Sequence, residues 1–213
     1  MIFGVKSIHS FEKSTYLCNM KEQDKQQFQQ AIDEALQVLL RGGVILYPTD
    51  TVWGIGCDAT NAEAVRRIFQ IKHRADSKAM LSLVDAVGRV DYYFDRVPDM
   101  AWDLWEVADK PLTLILPRAR NVAQELIADD GTMGMRITHE TVSQTLCARL
   151  RKPLVSTSAN ISGQPTARCF ADISDEIRQA VDYIVPLRQD ETNNPSPSGI
   201  IKLGDGNVIQ VIR

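Results

Sequence analysis

Apolar positions along the chain follow two periods, one near 3.6 and one near 2 residues. Over residues 24–41, Phe28, Ala31, Ile32, Ala35, Leu36, Leu39 and Leu40 recur at helical spacing, and Gly42-Gly43 supplies the stop. Residues 44–47 form a short apolar run closed by Pro48, the pattern of a buried strand. Asn61 is placed to cap a second helix that carries Ala64, Val65, Ile68 and Phe69. Residues 80–84 predict a strand, and Pro98 fits the first turn of a helix with Trp102 and Trp105 on its apolar side. Residues 112–116 and 133–137 predict two strands. A helix over 140–150 follows, with Val142, Leu146 and Leu150 inward, and then a buried strand over 154–157. Residues 173–180 read as helix, 193–197 as a polar loop, and 183–185, 199–203 and 208–212 as late strands. Helices and strands alternate early and strands cluster late. The expected fold is therefore α/β, a twisted open sheet with mixed parallel and antiparallel pairing and flanking helices.

Length and composition narrow this further. The 213 residues suit one domain, read as 24–213 behind an N-terminal extension of residues 1–23, with no internal repeat. Lys and Arg number 24 against 27 Asp and Glu, a net charge of −3, which excludes a globally basic nucleic-acid coat but not a local basic groove. No apolar run is long enough for a membrane span, and the N-terminus has no signal-peptide core, so no membrane partner is expected. Cys18, Cys57, Cys147 and Cys169 lie far apart, as do the three histidines. Free thiols in a cytoplasmic protein fit that spacing better than disulfides or a metal site.

Several chemistries are excluded by motif. The P-loop pattern and the GxSxG nucleophile elbow are both absent. Gly54-x-Gly56-x-x-Ala59 matches a dinucleotide fingerprint in letters. The next helix starts only after Asn61, however, so the glycines read as a tight backbone passage.

Four stretches concentrate polar chemistry at element ends. Pro48-Thr49-Asp50-Thr51 follows the first strand, at the edge where α/β sheets bind ligands; either threonine could meet a substrate. Lys72-His73-Arg74, with Lys78, ends the second helix and could clamp phosphate. Gly131-Thr132-Met133-Gly134-Met135-Arg136 brings one arginine out of a strand, which needs an anion, whether a carboxylate of the protein or of a ligand. Ser156-Thr157-Ser158-Ala159-Asn160 gathers hydroxyls and an amide beside a buried strand. Together they point to an anionic ligand held by cations, with hydroxyls seating a second polar group. No nucleophile–base set appears, so positioning and electrostatics, as in phosphoryl or nucleotidyl transfer, are the expected means of catalysis.

These residues also carry a resemblance. GGVILYPTDTVWGIGCDA (42–59), the K-x-R of Lys72 and Arg74, PLTLIL (111–116), GTMGMRI (131–137) and PLVSTSANISGQP (153–165) resemble the YrdC-like family, the threonylcarbamoyl-AMP synthases of tRNA modification. The resemblance runs from about Gly43 to Arg213. It implies a twisted α/β sheet with a concave, positively charged groove. It implies that L-threonine, bicarbonate and ATP yield threonylcarbamoyl-adenylate and pyrophosphate. Downstream tRNA threonylcarbamoyltransferase proteins then pass the group to adenosine 37 of tRNA. By position, Thr51, Arg136, Ser158 and Ser198 would hold threonine. Lys72, Arg74, Lys78, Thr132, Asn160 and Arg213 would hold ATP, with Lys72 and Arg74 in the catalytic role. Mg²⁺ would arrive on the phosphates, with no metal site in the protein itself. The family also raises tRNA or double-stranded RNA as a partner. The alternative function is thus a double-stranded RNA-binding, translation-associated paralogue without adenylate-forming activity. Lys72, Arg74, Ser158 and Asn160 are all retained, which favours the synthase, because shape recognition of A-form RNA needs spread phosphate contacts. A carbamoyl-adenylate former of the hydrogenase-maturation type would need domains that this length cannot house. Against the family pattern, Trp53 replaces a tyrosine, Ala75 and Ala79 replace prolines, Thr138 stands where proline commonly follows the arginine, and Gly199 falls in the usual Ser-Thr pair.

Overall fold

The computed structural model describes residues 21–73, 80–191, 197–204 and 208–213. The first helix, α1 (Glu22–Leu40), starts two residues before the expected position, with Glu22 and Asp24 in its first turn favouring the helix dipole. It ends where Gly42 takes φ +80° and the Gly43 N–H returns to the Val38 carbonyl. Strands β1 (Ile45–Tyr47) and β2 (Gly54–Gly56) follow, then α2 (Ala62–Ile71), capped by the Asn61 side chain accepting from the Ala64 N–H. Next come β3 (Leu81–Val84), α3 (Asp99–Val107), β4 (Leu112–Leu116) and β5 (Met133–Ile137). The remaining elements are α4 (Thr141–Leu150), β6 (Leu154–Ser158), α5 (Asp175–Ala180), β7 (Tyr183–Ile184), β8 (Gly199–Leu203) and β9 (Ile209–Val211).

The strands form one mixed sheet in the order β7-β1-β2-β6-β3-β5-β4-β8-β9. β1–β7, β3–β5 and β4–β8 are parallel, and the other five pairs are antiparallel. Every expected strand and helix among the described residues is present. The exception in the other direction is β2, which the sequence reads as a glycine passage. Both readings describe one object, because a Cβ on Gly56 would stand 2.4 Å from the Val155 carbonyl and 2.7 Å from the Tyr47 ring. Glycine is what lets β2 lie this close to its neighbours. Short 3₁₀ turns at Val87–Tyr93, Gln124–Leu126 and Phe170–Asp172 also lay outside the expectation. Most of the polar loop over 193–197 lies outside the described residues.

Register decides what each sheet face carries, since directly paired residues share a face. On one face Ile45 and Tyr47 stand beside Gly56 and Gly54, and Gly54 beside Ser158. Leu154, Leu83, Arg136, Thr113 and Ile200 form one cross-sheet row of that face; Ser156, Leu81, Gly134 and Ile115 begin the next. Helices α1 and α4 cover only part of it, where Phe28, Ile32 and Leu39 with Val142, Leu146 and Leu150 bury Ile45, Tyr47, Leu83 and Leu154. The opposite face is mostly apolar, with Ser82 and Thr157 among its residues: Leu46, Ile55, Val155, Val84, Met133, Met135, Leu114 and Leu116 join Ile68 and Phe69 of α2 and Trp105 of α3.

Candidate active site

A cavity of about 390 Å³ opens on the first face, past the end of the cover given by α1 and α4. Its lining includes Thr49, Thr51, Gly54, Leu81, Arg136, Ser156, Ser158, Ser198 and Arg213. All four residues expected to hold threonine (Thr51, Arg136, Ser158, Ser198) are therefore in one cavity, with Arg213 from the nucleotide set.

The loop after β1 separates the two threonines by role. Thr49 is buried; its hydroxyl accepts from the Thr51 and Val52 N–H groups at 3.1 and 3.2 Å and donates to the Val52 carbonyl at 2.6 Å. A hydroxyl has a single proton, so Thr49 is fully engaged in shaping the turn. Thr51 Oγ1 stands 3.1 Å from Thr49 Oγ1; donating there would leave its lone pairs for a ligand. Both threonines line the cavity, and of the two Thr49 carries the bonds that shape the turn.

Arg136 projects from the interior strand β5 and is 3% exposed. One terminal nitrogen donates to Asp50 Oδ1 at 2.9 Å, and its Nε–H has no partner among the described residues. Ser198 is buried and shares a 3.1 Å hydroxyl contact with Thr113 on β4, while Arg213 Nε donates to the Ser198 carbonyl at 3.1 Å. Although Gly199 falls in the usual Ser-Thr pair, Ser198 lines the cavity, with its hydroxyl and its carbonyl both anchored.

Of the described residues expected on the nucleotide side, Arg213 lines this cavity, and Lys72, Thr132 and Asn160 are outside its lining. Lys72 ends α2 and is 2% exposed; its ammonium donates to the carbonyls of Ser158 and, at 2.6 Å, Asn160. The Ser162 N–H also donates to the Lys72 carbonyl at 2.9 Å, so the K-x-R and S-x-N segments are laced together. Asn160 Nδ2 donates to the Ile161 and Gln164 carbonyls, which leaves a buried Oδ1 with no partner among the described residues. Thr132, just before β5, donates its hydroxyl to Asp130 at 2.6 Å, and Lys202 of β8 holds the other Asp130 oxygen. Those two bonds, the lysine's first, pull the Asp130 carboxyl down to about 2. Arg74 and Lys78 lie outside the described residues.

Sequence reading singled out no role for Asp50, Thr113 or Ser156. Asp50 sits inside a motif whose threonines took the interest. Thr113 is a lone hydroxyl in an apolar strand, the one available signal. Ser156 could have been found by counting two back from Ser158 along a strand. Burial pushes the thiols of Cys57 and Cys147 upward, which keeps both protonated and inert.

Comparison with known proteins places the chain in a family. The Sua5-yciO-yrdC family model, described as "Telomere recombination", matches residues 37–213. A threonylcarbamoyl-AMP synthase of Pseudoalteromonas translucida is 35% identical over 187 residues, 85% of this chain and 98% of that protein. One from Stutzerimonas stutzeri is 32% identical over 180 residues, 84% of this chain and 96% of the relative. Among solved structures, E. coli YciO aligns with a TM-score of 0.76 at 27% identity, covering 87% of this chain and 89% of its own. P. abyssi Sua5, solved in complex with L-threonine, shares the fold at TM-score 0.78 and 24% identity over 85% of this chain; the chain spans only 53% of that longer protein. By motif, fold and sequence alike, the chain belongs to the Sua5–YciO–YrdC family.

Proposed function

We propose that this chain is an ATP-dependent L-threonylcarbamoyladenylate synthase, with residues 24–213 as its working domain. The observation that carries the reading is the cavity whose lining brings the buried Arg136 together with the hydroxyl-bearing residues Thr51, Ser158 and Ser198. An amino acid with a hydroxylated side chain matches that lining. Its carboxylate takes the guanidinium, and its hydroxyl and nitrogen take the serines and threonine.

In the reaction, threonine and bicarbonate give N-carboxythreonine. A carbamate oxygen bonds to the α-phosphorus of ATP, the bond from that phosphorus to the bridging oxygen breaks, and pyrophosphate leaves. Lys72 and Arg74 offset charge that builds on the transferring and leaving groups. The site needs no nucleophile of its own; holding the two reactants in line is the catalytic contribution. Among the described residues no group of three or more His, Cys, Asp or Glu is placed to hold a metal. Mg²⁺ would arrive on the ATP phosphates and be kept by them and by water. The product passes to proteins that transfer the threonylcarbamoyl group to tRNA, which places the chain in the cytoplasm. No helix among the described residues is long and apolar enough to cross a membrane.

The RNA-binding alternative needs phosphate contacts spread over a surface, and the cavity with Arg136 and its hydroxyl-bearing lining gives it no support. Pyrophosphate release from ATP decides between them. Release requires both L-threonine and bicarbonate, and Lys72→Ala or Arg74→Ala lowers it roughly 10²-fold. Threonine-independent release, or full activity in those variants, would contradict the assignment.

A further inference from the structure

Arg136 is positioned by an acidic neighbour that no part of the reading above uses. The arginine is 3% exposed, so solvent cannot meet its charge, and Asp50, 17% exposed, does so through a single 2.9 Å contact to one terminal nitrogen. A guanidinium offers five donors in a rigid fork. Here Asp50 meets one terminal nitrogen, the buried Nε–H has no partner among the described residues, and the side chain lines a cavity whose other polar groups are mainly hydroxyls.

Asp50 is itself held firmly. The Thr49 hydroxyl knots the turn on one side of it. The Thr49 carbonyl accepts from Arg188 Nη1 at 3.3 Å. That guanidinium is pinned by Glu140 at 3.0 Å and by Glu191 at 2.8 Å, and Glu140 also caps α4 through the Val142 and Ser143 N–H groups. Arg188 adopts φ +59°, a conformation a non-glycine residue keeps only when its surroundings impose it. The charged groups around Asp50 therefore form a built chain running from the cap of α4 to the cavity wall.

We infer that Asp50 is the positioning residue for substrate carboxylate recognition. It turns Arg136 so that the open edge of the guanidinium forks onto one carboxylate of the amino-acid substrate, and it occupies the side where a second carboxylate could bind. The inference rests on the synthase reading, in which the reacting species carries two carboxylates. Only the α-carboxylate belongs on Arg136. The carbamate oxygens must stay free to attack phosphorus, and an arginine open on both sides would compete for them.

Two roles for Asp50 make opposite forecasts. If Asp50 only balanced charge, Asp50→Asn would remove a negative group near the carboxylate seat and threonine would bind more tightly. If Asp50 orients Arg136, the same change weakens the orienting bond, and threonine binds less well. The expected result is a threonine KM raised about threefold in Asp50→Asn, which keeps an acceptor, and about tenfold in Asp50→Ser, which is too short to reach. ATP KM stays within about twofold in both. Asp50→Asn preserves size and settles the matter should Asp50→Ser fail to fold. A threonine KM that is unchanged or lowered in Asp50→Asn, or one that rises in step with that for ATP, overturns the inference. Calorimetric titration with threonine alone separates the two readings. Binding that weakens in Asp50→Ser while the unaltered chain releases no pyrophosphate would sink the synthase reading and leave Asp50 as the positioning residue for a single carboxylate. An unaltered chain that binds no threonine would overturn both.

Discussion

One face of the sheet behaves as two different surfaces. Where α1 and α4 lie across it, the inward residues are Ile45, Tyr47, Leu83 and Leu154, all fully buried. Two and four positions further along β6 the same face carries Ser156 and Ser158, and beside Leu83 in its own cross-sheet row stands Arg136 on β5, all three lining the cavity. β6 shows the switch most clearly, because Leu154, Ser156 and Ser158 share a face at the strand period of two. A helix cover demands side-chain volume to fill the gap at crystal-like density. A ligand seat demands the reverse: short hydroxylated side chains that keep the backbone within reach, and a charge that only the ligand will complete. The architecture places both requirements on a single scaffold by ending the helical cover partway across.

If this division is real, damage to the two halves should separate cleanly into stability and activity. Leu146 is fully buried under the covered half. Truncating it, Leu146→Ala, loses about 2–5 kcal/mol of stability, read from the denaturant midpoint. Activity per folded molecule stays at the level of the unaltered chain. A variant that folds normally yet loses turnover would erase the distinction between the halves. Next in size is Arg136→Lys in the open half. Lysine keeps the charge beside Asp50 but loses the planar fork, so threonine KM rises by about 10²-fold, while thermal stability changes little. Saturation kinetics at fixed ATP measures it; an unchanged KM would remove Arg136 from the threonine seat.

Much of this was legible in the chain of letters, for physical reasons that also explain the remainder. Strands β1, β3, β4, β5 and β6 announce themselves as apolar runs, and α1 and α2 as periodic ones, because burial fixes residue type strongly. β2 is invisible by that logic: Gly54 and Gly56 are present for closeness to Tyr47 and Val155, which only the assembled sheet reveals. The 3₁₀ turn at Val87–Tyr93 lacks helical periodicity and contains Gly88, so no pattern marks it. In the site, Thr51, Arg136, Ser158 and Ser198 were found from motif, and the cavity unites them. What the letters could not supply was division of labour. Thr49 and Thr51 are the same residue type two positions apart, and only the bonds of Thr49 show it to be the builder of the turn. Lys72 likewise reads as a point charge for phosphate, yet its ammonium also holds the Ser158 and Asn160 carbonyls, a task no spacing argument exposes.

The rim of the open half gives the smallest effect. Asp130 joins the Thr132 hydroxyl to Lys202, and these bonds hold its carboxyl near 2, against 3.8 ordinarily. A depressed carboxyl stabilises the fold fully above the ordinary value and loses that contribution as pH falls through the folded one, here the window from about 4 down to about 2. Its side chain is 53% exposed, so solvent screens most of the interaction and the effect is small. Asp130→Asn therefore melts close to the unaltered chain at pH 7, within about 1 kcal/mol of stability. The gap closes as both are acidified toward pH 2, where the natural carboxyl is itself protonated. Thermal unfolding of the pair at neutral and acid pH measures the convergence. A gap that stays constant or widens on acidification would mean that the difference between the two chains does not come from the Asp130 charge.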